Sequence, residues 1–307
     1  MTREITYQIT QDEWTAGRRS TAGEYLRRRG YSRHLLTYLR HHEDTLLLNN
    51  EAVFTNHVIL PGDTLTVRFT DEIPSVTIVP NPMDLQIVYE DEDILVIDKP
   101  PALPIQPSLG HYEYTLGNAV VAYYQAQGIP FVYRCVNRLD RNTSGLVVIA
   151  KNMASSAILY DEMKARRIHR TYYALVHGRM PDPEGVIDLP IARKDPSLIE
   201  RCVDPVNGLR AVTHYREIAA CEETNLSALS VCLETGRTHQ IRVHMSCIGH
   251  PVAGDSLYGS ADESLGLSGR QALHSWKLQF MHPITRRDLS FEAPIPEDIR
   301  RLMPEGS

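Results

Sequence analysis

Residues 137–151 read Asn137-Arg138-Leu139-Asp140-Arg141-Asn142-Thr143-Ser144-Gly145-Leu146-Val147-Val148-Ile149-Ala150-Lys151. From Leu146 to Ala150 the side chains are apolar without a break, the pattern of a strand buried on both faces. Just before it, a polar turn holds an aspartate between two arginines. A carboxylate at the mouth of a rigid strand is pre-positioned for chemistry. An Asp ahead of Thr-Ser-Gly is also ordinary turn chemistry, bonding nearby backbone N–H groups. Both readings of Asp140 stand at this point.

Outward from this strand, further strands are expected at 87–89, 94–99, 170–177, 211–218, 228–234, 272–279 and 288–292. Helices are expected at 116–127, 154–166 and 239–247. Runs of strands broken by few helices predict an α+β domain with a mostly antiparallel sheet. The span assigned to it is 81–307.

The first 80 residues read differently. Helices are expected at 22–29 and 33–40, the second capped by Ser32. Short strands follow at 46–48, 52–54 and 65–69, divided by Asn49-Asn50 and Pro61-Gly62-Asp63 turns. Residues 70–84 carry Pro74, Pro80 and Pro82 and read as a semi-rigid linker. The chain is thus expected to hold a small α/β module, 1–80, and a larger one.

Charge separates the two. The 307 residues carry a net −6. Within 16–42, seven arginines (Arg18, Arg19, Arg27, Arg28, Arg29, Arg33, Arg40) face one acid, Glu24, a net of +6. The remainder is therefore −12. An electropositive module on an acidic body suits a polyanion partner, although a solvated basic helix pair would carry the same sequence.

Composition excludes other classes. Apolar residues make up 42% and charged residues 23%, an ordinary globular balance. No apolar run nears the roughly 20 residues of a membrane span, and no signal-peptide core opens the chain. A cytoplasmic, membrane-free monomer is the expectation. Five cysteines, none two apart, fit reduced thiols better than disulfides or a zinc knuckle. No dinucleotide, P-loop, zincin or nucleophile-elbow motif occurs, and the histidines form no ligand set. Chemistry without metal or cofactor is expected.

Two further stretches carry candidates. In Glu234-Thr235-Gly236-Arg237-Thr238-His239-Gln240-Ile241-Arg242-Val243-His244-Met245, Thr238 is placed to cap a helix whose apolar stripe is Ile241, Met245 and Ile248. Arg242 lies off that stripe, near a helix N-terminus that repels cations, and so calls for an anionic partner. A solvated surface arginine is the plainer alternative. In Ile168-His169-Arg170-Thr171-Tyr172-Tyr173, neighbouring tyrosines on a strand face opposite ways. Either could be simply a core residue. Lys99-Pro100, Gly249–Asp255 and Leu273-His274 are weaker cues.

Taken in order, these stretches resemble the RluA-type pseudouridine synthases, over about 84–295. The family pattern H-R-L-D-x-x-T-S-G-L stands here as Asn137-Arg138-Leu139-Asp140…Thr143-Ser144-Gly145-Leu146. G-R-T-H-Q-I-R-V-H matches Gly236–His244, and G-H-P-x-x-G-D matches Gly249–Asp255. Asn137 replaces the usual histidine, which bears on affinity or substrate choice. The resemblance implies an RNA pseudouridine synthase that needs no cofactor and acts on a base flipped out of its stack. Asp140 would be the catalytic carboxylate, kept ionised by Arg242. Tyr172 would stack on the base and assist proton removal at its carbon five. Asn137, Arg138, Arg237, His239 and Gln240 would meet RNA. The first module resembles, more loosely, the RNA-binding module of ribosomal small-subunit protein four, through Tyr31-Ser32-Arg33, Leu46–Asn50 and Pro61-Gly62-Asp63. Arg28, Arg29 and Arg33 would contact phosphates there. Large-subunit ribosomal RNA is the first partner expected and transfer RNA the second. A catalytically silent RNA-binding factor and, more remotely, a hydrolase are the rival readings.

Overall fold

A computed structural model describes residues 2–12, 20–70, 78–195, 199–259, 263–267 and 269–303. Arg18, Arg19 and residues 71–77 of the expected linker lie outside these residues.

The N-terminal part opens with β1 (Thr2–Gln8), a strand that Thr-Arg-Glu-Ile-Thr-Tyr-Gln signals only by burying Ile5 and Tyr7 in alternation. The sequence reading passes over it. Helix α1 (Ala22–Arg28) starts on a Thr21/Glu24 capping box, and α2 (Arg33–His41) on Ser32, whose hydroxyl accepts the Leu35 N–H as expected. Strands β2 (Leu46–Leu48), β3 (Glu51–Ala52) and β4 (Thr64–Thr70) complete an antiparallel sheet ordered β1-β4-β2-β3. Strand β3 is therefore earlier and shorter than expected.

The larger sheet has nine strands. Strands β5 (Gln86–Glu90) and β6 (Ile94–Lys99) lead through α3 (Leu116–Ala126) to β7 (Ser144–Ala150), then through α4 (Met153–Lys164) to β8 (His169–His177) and β9 (Glu184–Asp188). Strands β10 (Ile191–Arg193) and β11 (Arg201–Val203) form a separate pair. Strands β12 (Val212–Cys221) and β13 (Leu226–Leu233) precede α5 (Gln240–Cys247). Strands β14 (Leu273–Met281) and β15 (Asp288–Glu292) and the short α6 (Glu297–Arg300) finish the chain. The sheet order is β5-β6-β7-β14-β8-β13-β12-β9, with β15 on β14. Every pairing is antiparallel except β7 with β14, so the α+β reading with a mostly antiparallel sheet holds. The sequence reading did not anticipate the short strands β9, β10 and β11. Among the described residues, no helix is long and apolar enough to cross a membrane.

Period two explains the unbroken apolar run of β7. Val147 and Ile149 join Leu95, Ile97, Tyr172 and the helices α3 and α5 on one face. Leu146 and Val148 join Ile94, Val96, Leu159 of α4 and Phe280 on the other. The N-terminal core also extends onto the larger body: Ile5, Tyr7 and Leu26 belong to one apolar cluster with Ala154, Ile158 and Ile284. Arg3 reinforces the junction with a fork onto Asp93, at 2.9 and 3.0 Å, and a 2.7 Å contact to Glu92.

At the start of β7, Gly145 has φ 109°, and a Cβ there would lie 2.3 Å from the Ser275 carbonyl oxygen of β14. Only glycine permits this approach. The start of α5 also departs from expectation. Thr238 does not cap it. The cap position is His239, in left-handed backbone (φ 58°) with no side-chain capping bond. The loop before it folds around Gln240 instead: its carboxamide oxygen accepts the Thr235 hydroxyl at 2.8 Å and the Arg237 N–H at 3.0 Å.

Candidate active site

A cleft of about 490 Å³ opens between the 137–143 turn, β8 and the N-terminal end of α5. Asp140, Tyr172 and Arg242 all line it. They come from three separate parts of the chain.

The Asp140 turn is held from several sides. Asn137 is buried; its Nδ2 donates to Leu146 O at 3.0 Å and its Oδ1 accepts the Val148 N–H at 2.8 Å. It clamps the turn along β7 and also borders the cleft, so its amide serves the backbone first. Lys99, fully buried at the end of β6, donates to Arg141 O at 3.0 Å and to Pro100 O at 2.7 Å. Burial, with Arg270 adding, pulls its pKa down to about 7. Gln271 donates to Thr143 at 2.9 Å. Ser144 is bonded to His274 Nδ1 at 2.9 Å and accepts from Arg270, which forks onto Asp298 at 2.6 and 2.7 Å. Neighbours on both sides therefore fix the base of the turn.

Asp140 takes no backbone N–H of its own turn among the described residues. Its Oδ2 accepts from Arg242 Nη1 at 3.2 Å. Arg242 is itself gripped from behind. Nε donates to Asp255 Oδ2 at 2.6 Å and Nη2 to Asp255 Oδ1 at 2.8 Å, a bidentate fork on a carboxylate with no exposed surface. The Tyr258 ring packs 5.0 Å from the guanidinium. Burial works against the Arg242 charge, yet the Asp255 and Asp140 carboxylates raise its pKa overall. The misplaced arginine thus has two anionic partners, one structural and one in the cleft. The signal for Asp255 is the Gly249–Asp255 stretch; nothing in the residue types alone singles out Tyr258.

Tyr172 is buried at 4% exposure, on the face of β8 shared with Arg170. Burial raises its phenol pKa, Asp140 adding and Arg170 opposing, so the hydroxyl keeps its proton at neutral pH. Tyr173 points to the other face, edge-on to Trp276. Arg170 also lines the cleft, where Gly236 leaves it room.

Arg138 and Arg237 are exposed on the cleft rim, and Arg237 Nε donates to Arg210 O at 3.1 Å. Gln240 borders the cleft but is buried at 2% exposure, its Nε2 spent on Val212 O and Thr213 Oγ1, so it shapes the loop. His239 lies inside the cleft, with Nε2 3.9 Å from Asp140 Oδ2. Arg28, Arg29 and Arg33 are not brought to this cleft. Arg28 and Arg33 are exposed on the N-terminal helices, and Arg29 packs over the rings of Tyr7 and Tyr25.

Among the described residues, one group has metal-ligand atoms close together: Asp91, Asp93 and His282. It sits at the opposite end of β6 from Lys99. Its oxygens are already used by Tyr89, His282, Arg3, Asn152 and backbone N–H groups.

This sheet recurs in solved pseudouridylate synthase domains. Human RNA pseudouridylate synthase domain containing 1 superposes with a TM-score of 0.58 at 26% identity, over 71% of this chain and 87% of that one. The human domain containing 4 protein gives 0.57 at 21%, over 70% of this chain and 90% of that one, a likeness of fold. The family model for RNA pseudouridylate synthase matches residues 93–247. A Bacillus subtilis protein, "Uncharacterized RNA pseudouridine synthase YjbO", is 42% identical over 92% of this chain and 98% of its own length. Ribosomal large subunit pseudouridine synthase D of Neisseria meningitidis is 36% identical over 89% of this chain and 74% of its own. The chain belongs to the RNA pseudouridylate synthase family, of the RluA type, and is an isomerase acting on RNA.

Proposed function

We propose that Asp140 is the catalytic carboxylate and that the substrate uridine enters the cleft flipped out of its stack. The observation that carries this reading is the Asp140–Arg242–Asp255 chain opening onto a cleft walled by Tyr172. The reaction breaks the bond from ribose C1′ to uracil N1 and forms one from C1′ to C5. The C5 proton is lost and N1 gains one, so substrate and product are isomers. Asp140 serves this by adding to ribose or base, or by removing a ribose proton on the way to a glycal. Each route uses the carboxylate that Arg242 holds at 3.2 Å. Tyr172 is positioned to stack on the base. Its proton-bearing hydroxyl makes direct proton removal at C5 the weaker of its two expected roles. Arg138 and Arg237 are proposed to hold flanking phosphates.

We further propose that residues 1–80 form an RNA-binding module like that of ribosomal small-subunit protein four, with 81–307 as the catalytic domain. Arg28 and Arg33 would grip phosphates. Large-subunit ribosomal RNA is the proposed substrate, supported by the names of the relatives called synthase D; transfer RNA is the alternative. A silent RNA-binding factor is favoured only by Asn137 standing where the family has histidine, and the use of Asn137 as a turn clamp speaks against that reading. The test is tritium release from RNA labelled at uridine C5, comparing wild type with Asp140→Asn. Pseudouridine mapping of RNA from a strain lacking this gene identifies the target. Wild-type turnover by Asp140→Asn overturns the assignment.

A further inference from the structure

Behind Asp140 runs a short hydrogen-bond chain that the expected RNA-contact role of His239 does not explain. Its first link is the Arg201 backbone N–H, which donates to Tyr258 Oη at 2.7 Å. The second link joins Tyr258 Oη and His239 Nδ1, also at 2.7 Å. A backbone N–H can only donate, so the phenol oxygen accepts there. Among the described residues, the acceptor within reach of the phenol's own proton is His239 Nδ1. That nitrogen therefore carries the lone pair, and the ring proton resides on Nε2. Nε2 is the atom that faces Asp140 Oδ2 at 3.9 Å.

The backbone points the same way. His239 occupies left-handed φ, a conformation that costs a non-glycine residue energy and collects at working sites. It gives up the usual helix-capping role to turn its ring into the cleft. The ring meets Tyr258 edge-on, with centroids 5.5 Å apart.

We propose that His239 is a positioning residue for Asp140: locked as the Nε2–H tautomer by Tyr258, it shares Oδ2 with Arg242 and leaves Oδ1 as the reacting oxygen. No hydrogen bond among the described residues reaches Oδ1, whereas both neighbours converge on Oδ2. The charged groups around the ring are Asp140, Arg242, Arg201 and Asp255. Burial, joined by Arg242 and Arg201, outweighs the two carboxylates and lowers the His239 pKa, which keeps the ring neutral. A neutral donor aligns the carboxylate without adding the second full charge that would blunt its reactivity. A 3.9 Å separation without substrate is ordinary for a contact that tightens when the site fills. This inference rests on the reading of Asp140 as the catalytic group.

The direct test is long-range proton–nitrogen NMR on the full chain labelled with ¹⁵N-histidine, with His239 assigned by its loss in His239→Gln. The wild type is expected to show a protonated Nε2 and a bare Nδ1 at neutral pH. Tyr258→Phe, which keeps the ring against Arg242, is expected to shift His239 towards the other tautomer. On a large-subunit ribosomal RNA transcript tritiated at uridine C5, the same variant should lose about tenfold in kcat, the worth of one hydrogen bond to a charged group. KM should stay unchanged. His239→Gln keeps an N–H near the Nε2 position and should retain more kcat than His239→Leu. A wild-type His239 protonated on Nδ1, or a tautomer indifferent to Tyr258→Phe, overturns the proposal. So does a loss in His239→Leu that falls on KM and its salt dependence, because that is the behaviour of a phosphate contact. Failure of the catalytic reading is separable: it appears as turnover by Asp140→Asn, while the tautomer measurement is made without substrate.

Discussion

The two buried arginines around the Asp140 turn and those of the N-terminal helices are the same side chain used in opposite ways. Arg242 and Arg270 are buried, and each is held in a bidentate fork by one carboxylate, Asp255 or Asp298. Among the described residues, no carboxylate pairs with Arg27, Arg28 or Arg33, which face solvent. A buried guanidinium must be paired or the fold suffers. A solvated one keeps its charge for an outside partner. Pairing therefore separates arginines that set geometry from arginines available to attract a polyanion. Lys99 is a third case: a buried cation satisfied by carbonyls alone.

Substitutions can break or sharpen this contrast. The largest effect is expected at the acid that the paired arginine serves. Asp140→Asn should cost at least about 10⁴-fold in tritium release, on the scale of removing a central catalytic group, with an unchanged melting temperature. Removing the rear carboxylate comes next. Asp255→Ala strands a buried guanidinium and should destabilise the chain by about 3–5 kcal/mol in urea titration, with activity falling as Arg242 loses its aim. If stability is unaffected, the pairing contrast fails.

For the solvated set, Arg27→Gln, Arg28→Gln and Arg33→Gln together should leave melting unchanged and weaken RNA binding by about tenfold. The slope of log affinity against log salt should fall by about 2 to 3. An unchanged slope would show that these helices do not meet RNA.

The smallest effect concerns Lys99 and pH. Its folded-state pKa of about 7 lies below the unfolded value, so between them the unfolded chain binds more protons. Stability should therefore rise by about 1 kcal/mol between pH 7 and 8, and Lys99→Met should flatten that rise. Thermal melts across that range decide it.

Much of this was readable from residue order. The apolar run of β7 declares a two-faced strand, the helix after Ser32 begins where capping chemistry says it should, and the helix expected from Leu116 begins there. Arg242 advertised its need for an anion by lying off an apolar stripe near a helix start. The losses have physical causes. Strand β1 carries only two inward apolar side chains, and β9 to β11 are too short for periodicity to speak. The backbone ties made by Asn137 and Gln240 were not legible, because a carboxamide reads alike whether it binds RNA or joins two segments of backbone. The Arg270–Asp298 fork joins residues whose sequence positions give no reason to pair them. Tyr258 acts through a backbone N–H on β11, a contact that composition cannot reveal.

Gly145 has a consequence of its own. Its missing side chain is the space in which the start of β7 slides against Ser275 of β14. A methyl group there would wedge two parallel neighbours apart and tilt the turn that carries Asp140, without touching a single charge. The aim of the Asp140 carboxylate is thus guarded by a missing side chain, and the gentlest of substitutions, glycine to alanine, would shift the proposed catalytic group from behind.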